Sequence, residues 1–348
     1  MIGSSSEHSN VTFCVRADGV DSAHCRLVFD ESNGSCEMTS LTSVSTTWLK
    51  RPLGDWEEVF CGDSRTMFPN DAFRLGTGLV FEMRRFNSGF ASSQGIRPSM
   101  EDAEVLIDSL LPGLSWYGCY DGHGGSECSK FVQKHLHVNF VNEMSENVSA
   151  SSICEALMSA FALTESQFRD FAVGMSSNVG SVVNVCVLWS GSIFCANLGD
   201  ARAVLASGTE LSVDHKPGSE SDRITASGGS VVNGRVNGRL AVSRAIGDFE
   251  FKNSVPEKSL VSPIPEIRIH RIMPTDDFLI IACDGLFDVM SSAEAIEFVH
   301  KRVEAFTKRN EEPDARQIAI DLVTESVMKR NTHDNVTVLI VFLKQFCH

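Results

Sequence analysis

Two apolar runs, residues 182–189 and 193–198, are separated by only three residues, Ser190, Gly191 and Ser192. The first run is rich in valine, and a short Ser/Gly link between two such runs is typical of an antiparallel hairpin. Further strand-sized runs, bounded by Gly, Asp and Ser, lie at residues 90–95, 103–107, 114–120, 202–206, 278–283 and 336–343. The chain therefore contains antiparallel β-sheet.

Helical patterns occur between these runs. Apolar residues recur at a spacing of three to four within residues 128–140 and 153–168, which predicts two amphipathic helices. Ser291-Ser-Ala-Glu294 is a capping-box sequence that predicts the start of a third helix. Pro313-Asp314 opens a fourth. Strands grouped in hairpins and helices grouped in pairs favour α+β layers over a βαβ repeat.

Net charge, apolar run length and cysteine usage limit the classes of partner and the compartment that are expected for this chain. The 348 residues carry a net charge of −15, which argues against nucleic acid or an anionic membrane as the main partner. No apolar run reaches the roughly 18 residues that a membrane span needs, and the first ten residues do not resemble a secretory signal. Eleven cysteines without a CxxC pair indicate reduced thiols, and hence a cytoplasmic or nuclear protein.

The first 82 residues differ from the rest of the chain. Their first fifty are rich in serine and threonine, and short apolar pieces at residues 11–15 and 25–29 are candidate strands. We predict a partly ordered N-terminal extension of unknown role over residues 1–82 and the main domain over residues 83–348. The main domain is expected to be a monomer.

Acidic clusters lie where the predicted strands end. They are Glu101-Asp102, Asp121-Gly-His-Gly-Gly125, Asn197-Leu-Gly-Asp200, Asp284-Gly-Leu-Phe-Asp288 and His333-Asp334-Asn335. Each Asp-Gly pair alone is commonly just a turn. Asp284, however, directly follows a buried strand, where a carboxylate needs a compensating cation or partner. Several carboxylates aimed into one cleft are the oxygen ligands that hard divalent cations prefer.

The order of these clusters resembles the type 2C metal-dependent protein serine/threonine phosphatases over roughly residues 86–343. The residues that carry the resemblance are Arg97-x-x-Met100-Glu101-Asp102, Tyr120-Asp-Gly-His-Gly-Gly125, Asn197-Leu-Gly-Asp-Ala-Arg202, Asp214-His-Lys-Pro217, Gly238-Arg-Leu-Ala-Val-Ser-Arg-Ala-Ile-Gly-Asp248, Val261-Ser-Pro263 with Pro265-Glu266, Ala282-Cys-Asp-Gly-Leu-Phe-Asp-Val289 and Asp334-Asn-Val-Thr-Val338. The resemblance implies a four-layer αββα sandwich, in which two antiparallel sheets are flanked by helix pairs. It also places a mobile flap within residues 207–275.

The resemblance also implies a site with two Mg²⁺ or Mn²⁺ ions. In this expectation Asp121 bridges both ions, Asp284 and Asp334 bind one, and the Gly122 carbonyl binds the other, with Glu101 or Asp102 acting near it. Asp200 and Asp288 match positions linked to a third, weaker ion in some members.

The same resemblance assigns the chemistry. A hydroxide that bridges the metals attacks the phosphorus of phosphoserine or phosphothreonine in a protein substrate, without a phosphoenzyme or a cysteine nucleophile. Arg97 is expected to bind the substrate phosphate, because a planar guanidinium can donate two parallel hydrogen bonds to two phosphate oxygens. His123 is the general acid that protonates the leaving oxygen.

Three positions depart from the family pattern. Val182 replaces a hydroxyl residue, Ala201 replaces a serine and Phe287 replaces a tryptophan. Two other functions stay open: a regulatory scaffold with a weak or dead site, and a hydrolase of small phosphoesters or nucleotides. Outside the site, His215 and the thiols of Cys119 and Cys283 are predicted to be structural.

Overall fold

The computed structural model describes residues 87–344, apart from positions 112, 146 and 177, together with eight strand segments between residues 10 and 82. The chain divides into two compact units, Met1–Phe86 and Asn87–His348. This division falls just after the boundary that the sequence suggested between residues 82 and 83.

The first unit contains two four-stranded antiparallel sheets. Its strands are β1 (Asn10–Val15), β2 (Cys25–Asp30), β3 (Ser35–Ser40), β4 (Thr47–Lys50), β5 (Trp56–Val59), β6 (Ser64–Met67), β7 (Ala72–Leu75) and β8 (Leu79–Glu82). The strand orders are β1-β2-β3-β6 and β5-β4-β7-β8. The predicted strands at residues 11–15 and 25–29 correspond to β1 and β2, whereas the other six were not predicted.

The first sheet of the second unit contains the predicted hairpin. The strands of the second unit form two sheets and a separate small hairpin. They are β9 (Ser88–Ser93), β10 (Ala103–Leu111), β11 (Leu114–His123), β12 (Gly180–Trp189), β13 (Ser192–Leu198), β14 (Arg202–Leu205), β15 (Val231–Val232), β16 (Arg235–Val236), β17 (Ile246–Gly247), β18 (Glu266–Arg271), β19 (Phe278–Ala282) and β20 (Val336–Phe342). The small hairpin consists of β15 and β16. The first sheet has the order β10-β11-β12-β13-β18, with β17 paired to β12, and the second has the order β14-β19-β20-β9. All strand pairs in both sheets are antiparallel.

The helices are α1 (Glu127–Glu143), α2 (Ala150–Phe171), α3 (Ser221–Ala226), α4 (Asp284–Phe287), α5 (Ser292–Lys308) and α6 (Ala315–Met328). One apolar core joins α1 and α2 to the first sheet, and another joins α5 and α6 to the second sheet. A third core lies between the two sheets and includes Tyr117, Cys186, Ile281 and Leu339. Three cores separate four layers, so the predicted αββα sandwich is confirmed.

Local sequence explains several element ends. Ser190 and Gly191 both have positive φ values, 49° and 71°, which is the backbone of a type I′ turn and matches the twist of the hairpin. Ser291 and Glu294 form the predicted capping box, since each side chain bonds the backbone N–H of the other residue. The Asp314 side chain likewise accepts from the N–H of Gln317 at the start of α6.

The segment after β14 packs on the first sheet through a small apolar cluster. This cluster contains Val182, Ala201, Ile224, Val236, Val242, Ala245, Phe251 and Val261, and it is called the flap cluster below. The mobility of this segment stays a prediction. Within the described part of the chain, no helix has the length and apolar character needed to cross a bilayer. The six cysteines within residues 87–344 are free thiols.

Candidate metal centre

Both sheets of the second unit present a carboxylate at the same end of the sandwich. Asp121 lies near the end of β11, and Asp284 is the first residue of α4, directly after β19. Asp200 follows β13 in a turn that Gly199 enters with a φ of 118°. Carboxylate oxygens of these three aspartates lie within 4.8 Å of one another, as the ligands of a single cation do.

Asp121 also belongs to a second group. One of its carboxylate oxygens lies within 4.8 Å of a ligand atom of Asp102 and of the Cys283 sulfur. Asp102 is buried and accepts a 2.8 Å hydrogen bond from the Thr337 hydroxyl on β20. Asp121 is thus shared by two sets of potential metal ligands.

The carboxylates destabilise one another as anions. Burial, followed by the charges of Asp102 and Asp284, raises the pKa of Asp121 well above its usual range. Burial and the nearby Asp200 raise the pKa of Asp284 to about 7. Burial raises the pKa of Asp102 to about 6, although the Thr337 hydrogen bond opposes this. A bound divalent cation would remove this repulsion, so the oxygen-rich cluster fits Mg²⁺ or Mn²⁺.

A lysine already neutralises part of the cluster. The ammonium group of Lys216 forms an ion pair with the buried carboxylate of Asp200. Burial raises the pKa of Asp200 while Lys216 lowers it, and the balance is upward. Asp200 thus lies among the other carboxylates, and the sequence did not identify its lysine partner.

Glu101, Gly122, Asp288 and Asp334 surround the cluster, but neither group of close ligand atoms includes them. Asp334 and Asp288 both lie near enough to Asp284 to raise the pKa of its carboxyl. At Gly122 a Cβ would collide with the Glu101 carbonyl oxygen and the Ser129 hydroxyl, so this close approach of β11 to the chain at Glu101 requires glycine.

Arg97 lies at the mouth of the site. Its guanidinium Nε is 3.0 Å from an oxygen of Asp334, and both side chains are nearly half exposed. Asn335 holds the two loops together, because it accepts from the Glu101 N–H at 2.8 Å and donates to the carbonyls of Gln94 and Ser99. The sequence showed Asn335 only as part of a motif and gave it no role.

His123 ends β11, two residues after Asp121. Its Nε2 lies 2.8 Å from an oxygen of Asp248, whose side chain is fully buried. Burial alone would lower the pKa of His123, but the charge of Asp248 and its hydrogen bond outweigh burial, and the pKa is raised. Sequence reasoning missed Asp248 as a partner, although Asp248 ends one of the motifs.

One histidine and two cysteines with predicted structural roles lie next to the site. His215 is buried, accepts from the Gly199 N–H at 3.1 Å and lies 3.4 Å from Glu266, which are contacts consistent with the predicted structural role. Cys119 and Cys283 pack in the core between the sheets, as expected. The approach of the Cys283 sulfur to Asp102 and Asp121 was not expected.

The departures Val182 and Ala201 lie together. Both side chains are buried in the flap cluster, and Val182 pairs with Asp121 across β11 and β12. Two hydroxyl residues of the family pattern are therefore replaced by apolar side chains in one apolar environment. The third departure, Phe287, has the guanidinium of Arg202 4.6 Å above its ring.

The sequence of the second unit is similar to known protein phosphatase 2C sequences. The family model described as "Protein phosphatase 2C" matches residues 86–336. "Protein phosphatase 2C homolog 3" of Schizosaccharomyces pombe is 38% identical over 274 residues, which cover 74% of this chain and 64% of that protein. "Probable protein phosphatase 2C 27" of Arabidopsis thaliana is 35% identical over 273 residues, which cover 74% of this chain and 68% of that protein.

Solved structures give the same fold. The "Structure of a C.elegans sex determining protein" aligns with a TM-score of 0.64 at 26% identity and covers 76% of this chain and 67% of that one. A serine-threonine phosphatase 2C from Toxoplasma gondii aligns with a TM-score of 0.60 at 24% identity, covering 74% of this chain and 94% of that one. At this identity the second likeness concerns the fold alone.

Proposed function

The chain belongs to the protein phosphatase 2C family, and from this premise we propose that it is a metal-dependent protein serine/threonine phosphatase. Its substrates would be phosphoserine and phosphothreonine in proteins. The observation that carries the proposal is the position of Asp121, which shares close ligand spacing with Asp284 on one side and with Asp102 on the other. An acidic site of this kind accepts cations and rejects a phosphate unless cations are bound.

The residues fit two divalent ions. Asp121 would contribute to both, Asp284 with Asp334 would hold one, and the Gly122 carbonyl with Glu101 or Asp102 would hold the other. Asp200 and Asp288 would serve a third, weaker ion, for which Asp200 would have to exchange its ion pair with Lys216. When bound, the ions supply an acidified water and offset the negative charge of the phosphate.

The protein's own side chains would complete the reaction. Arg97 is exposed enough to exchange its ion pair with Asp334 for one with the substrate phosphate, which a guanidinium binds through two N–H groups. His123 would give a proton to the seryl or threonyl oxygen as its bond to phosphorus breaks. Its raised pKa keeps this proton available near neutral pH.

A turnover assay tests the proposal. We expect the full chain to release phosphate from a phosphothreonine peptide with Mn²⁺ or Mg²⁺ and to stop in excess chelator. Asp121→Ala should abolish turnover, whereas Asp276→Asn, a change at a buried carboxylate that pairs with His270 outside these ligand groups, should not. Turnover by wild type that persists after complete metal removal would refute the metal site.

The same assay separates the other two functions. A hydrolase of small phosphoesters would prefer a nucleotide to the phosphopeptide at equal concentration. A scaffold would bind two ions in a calorimeter and release no phosphate from either substrate. Calorimetry on wild type and Asp200→Asn would also test the third ion, because only the weakest binding step should be lost in the variant.

A further inference from the structure

The contact between His123 and Asp248 joins residues 125 positions apart in the chain. The Nε2–Oδ2 distance is 2.8 Å, and the carboxylate of Asp248 is fully buried while a quarter of the His123 side chain is exposed. Asp248 has a φ of 52°, a left-handed backbone conformation that residues other than glycine adopt infrequently. The fold thus holds an ionisable residue in a disfavoured backbone conformation directly behind the proposed general acid.

The strand pairing shows how this contact is built. His123 pairs with Gly180 across β11 and β12, and Gly180 pairs with Gly247 across β12 and β17. The N–H of Asp248 then donates to the Val179 carbonyl at 3.0 Å, which fixes the aspartate beside the histidine. A Cβ at Gly180 would collide with both the Asp248 carboxylate and the His123 ring. The glycine at position 180 therefore provides the space in which the two side chains meet.

The other carboxylate oxygen, Oδ1 of Asp248, is buried and has no hydrogen-bond partner. Behind it lie Lys252, of which 1% is exposed, and Glu165, whose oxygen is 3.5 Å from the lysine ammonium. Glu165 also accepts from the Gly247 N–H at 2.9 Å, which ties this ion pair to β17. The hydrogen-bonding capacity of Asp248 is thus directed at His123, and Lys252 supplies the positive charge that lets a carboxylate remain buried there.

We propose that Asp248 is a positioning residue that accepts the Nε2–H of His123 and thereby makes Nδ1 the nitrogen that serves the leaving group. The proposal rests on the proposed phosphatase function. In the bond-breaking step the electron pair of the P–O bond passes to the seryl or threonyl oxygen. That oxygen takes the proton from Nδ1, and a neutral imidazole remains with its Nε2–H still bonded to Asp248. A carboxylate that orients a catalytic imidazole in this way fixes both its tautomer and its ring position.

The test is Asp248→Asn, which keeps the shape but can donate as well as accept, so that the wrong tautomer becomes accessible. We expect kcat on a phosphothreonine peptide to fall about 10–100-fold, which is less than the roughly 10²–10⁴-fold contribution of the general acid through which Asp248 acts. The loss should largely disappear with p-nitrophenyl phosphate, whose leaving group needs no proton. Asp248→Asn should also add nothing to the loss in His123→Ala.

The matched control is Asp276→Asn. Asp276 is also buried, and its Oδ2 lies 2.7 Å from His270 Nε2, so it repeats the contact outside the ligand groups of the proposed site. This variant should affect both substrates equally and weakly. Equal losses on both substrates for Asp248→Asn, or losses that multiply with those of His123→Ala, would overturn the positioning role.

A spectroscopic measurement does not depend on activity or on the stability of the variant. Nitrogen-15 NMR of wild-type protein, in alkaline solution where the ring is neutral, should show His123 protonated at Nε2. Protonation at Nδ1 would overturn the proposal even if the variant failed to fold. Absence of metal-dependent turnover in wild type would instead refute the proposed function, so the two failures are distinguishable.

Discussion

The two sides of the site differ in their charges: one groups like charges together, and the other pairs opposite charges. On one side, Asp102, Asp121, Asp200 and Asp284 place like charges within reach of one another, and Lys216 forms an ion pair with one member of this carboxylate cluster, Asp200. On the other side, His123 and Asp248 form a pair of opposite charge when the histidine is protonated, with Lys252 close behind. The carboxylate cluster carries more negative charge than Lys216 offsets, whereas the His123–Asp248 pair has its opposite charges within the protein.

Because their charges differ, the carboxylate cluster and the His123–Asp248 pair are expected to make different contributions to function. A cluster of mutually repelling carboxylates binds cations strongly because binding removes the repulsion, at the expense of stability in the metal-free protein. A pair of side chains joined by a hydrogen bond fixes a geometry instead. We therefore expect changes in the carboxylate cluster to act through metal and changes in the His123–Asp248 pair to act through proton transfer.

The largest expected effect is loss of the cluster's central carboxylate. Asp121→Ala should reduce phosphopeptide turnover to background, because Asp121 is common to both groups of ligand atoms. The measurement is kcat/KM at saturating Mn²⁺, with metal stoichiometry from calorimetry on the same sample. Turnover near the wild-type rate would place the site elsewhere in the chain.

The second effect is removal of the general acid. His123→Ala should lower kcat on a phosphopeptide by about 10²–10⁴-fold, the usual contribution of general acid catalysis. Metal affinity should be unchanged, since the pair acts on the proton rather than on the ions. If His123→Ala lost metal binding together with activity, the expectation that the His123–Asp248 pair acts through proton transfer alone would be contradicted.

The third effect concerns stability without metal. Folding raises the pKa of Asp284 to about 7 and that of Asp102 to about 6, so between pH 4 and pH 7 the folded protein holds protons that the unfolded chain releases. The free energy of unfolding should therefore fall as pH rises through this window. Asp121→Asn should stabilise the metal-free protein at neutral pH, because burial and the charges of Asp102 and Asp284 disfavour the ionised Asp121 carboxylate, which the amide replaces.

Urea denaturation in chelator from pH 5 to pH 8 measures this effect. Saturating Mn²⁺ should remove the decline with pH and reverse the order of wild type and Asp121→Asn, because the ions then stabilise the ionised carboxylates. Asp276→Asn serves as the control for losing a buried carboxylate outside the cluster. A metal-free wild type that became more stable with rising pH would contradict the predicted charge repulsion.

The sequence was sufficient for the parts of the fold that local patterns encode. Valine-rich runs, the Ser190-Gly191 turn and the Ser291 capping box were predictable because their causes lie within a few residues. The motif order also predicted that aspartates distant in the chain would converge. Two contacts were not predictable: Lys216 with Asp200, and His123 with Asp248. The second depends on β17, a strand of two residues whose pairing with β12 leaves no periodic signal.

The smallest expected effect is at Val182, and it tests how far the carboxylate cluster depends on its apolar surroundings. The hydroxyl that the family pattern has at this position could make a hydrogen bond, and its loss could slow the reaction up to about tenfold. The structure indicates a smaller effect, because Val182 and Ala201 occupy one apolar cluster, and exchanging both members of a polar pair for apolar groups is nearly neutral. Val182→Thr alone should bury an unmatched hydroxyl and destabilise the protein by about 1–3 kcal/mol.

The double variant Val182→Thr/Ala201→Ser should recover most of that stability, with kcat within a few-fold of wild type, since each hydroxyl then has a potential partner. Thermal unfolding and single-turnover assays with Mn²⁺ on wild type, both single variants and the double variant give the coupling between the two positions. A tenfold rate increase in Val182→Thr alone would show that the hydroxyl acts on Asp121, its neighbour across β11 and β12, rather than on the flap cluster. If the effects of the two substitutions on stability and on kcat were strictly additive, positions 182 and 201 would not be coupled energetically. The apolar packing of the flap cluster beside Asp121 would then not contribute to catalysis through this pair.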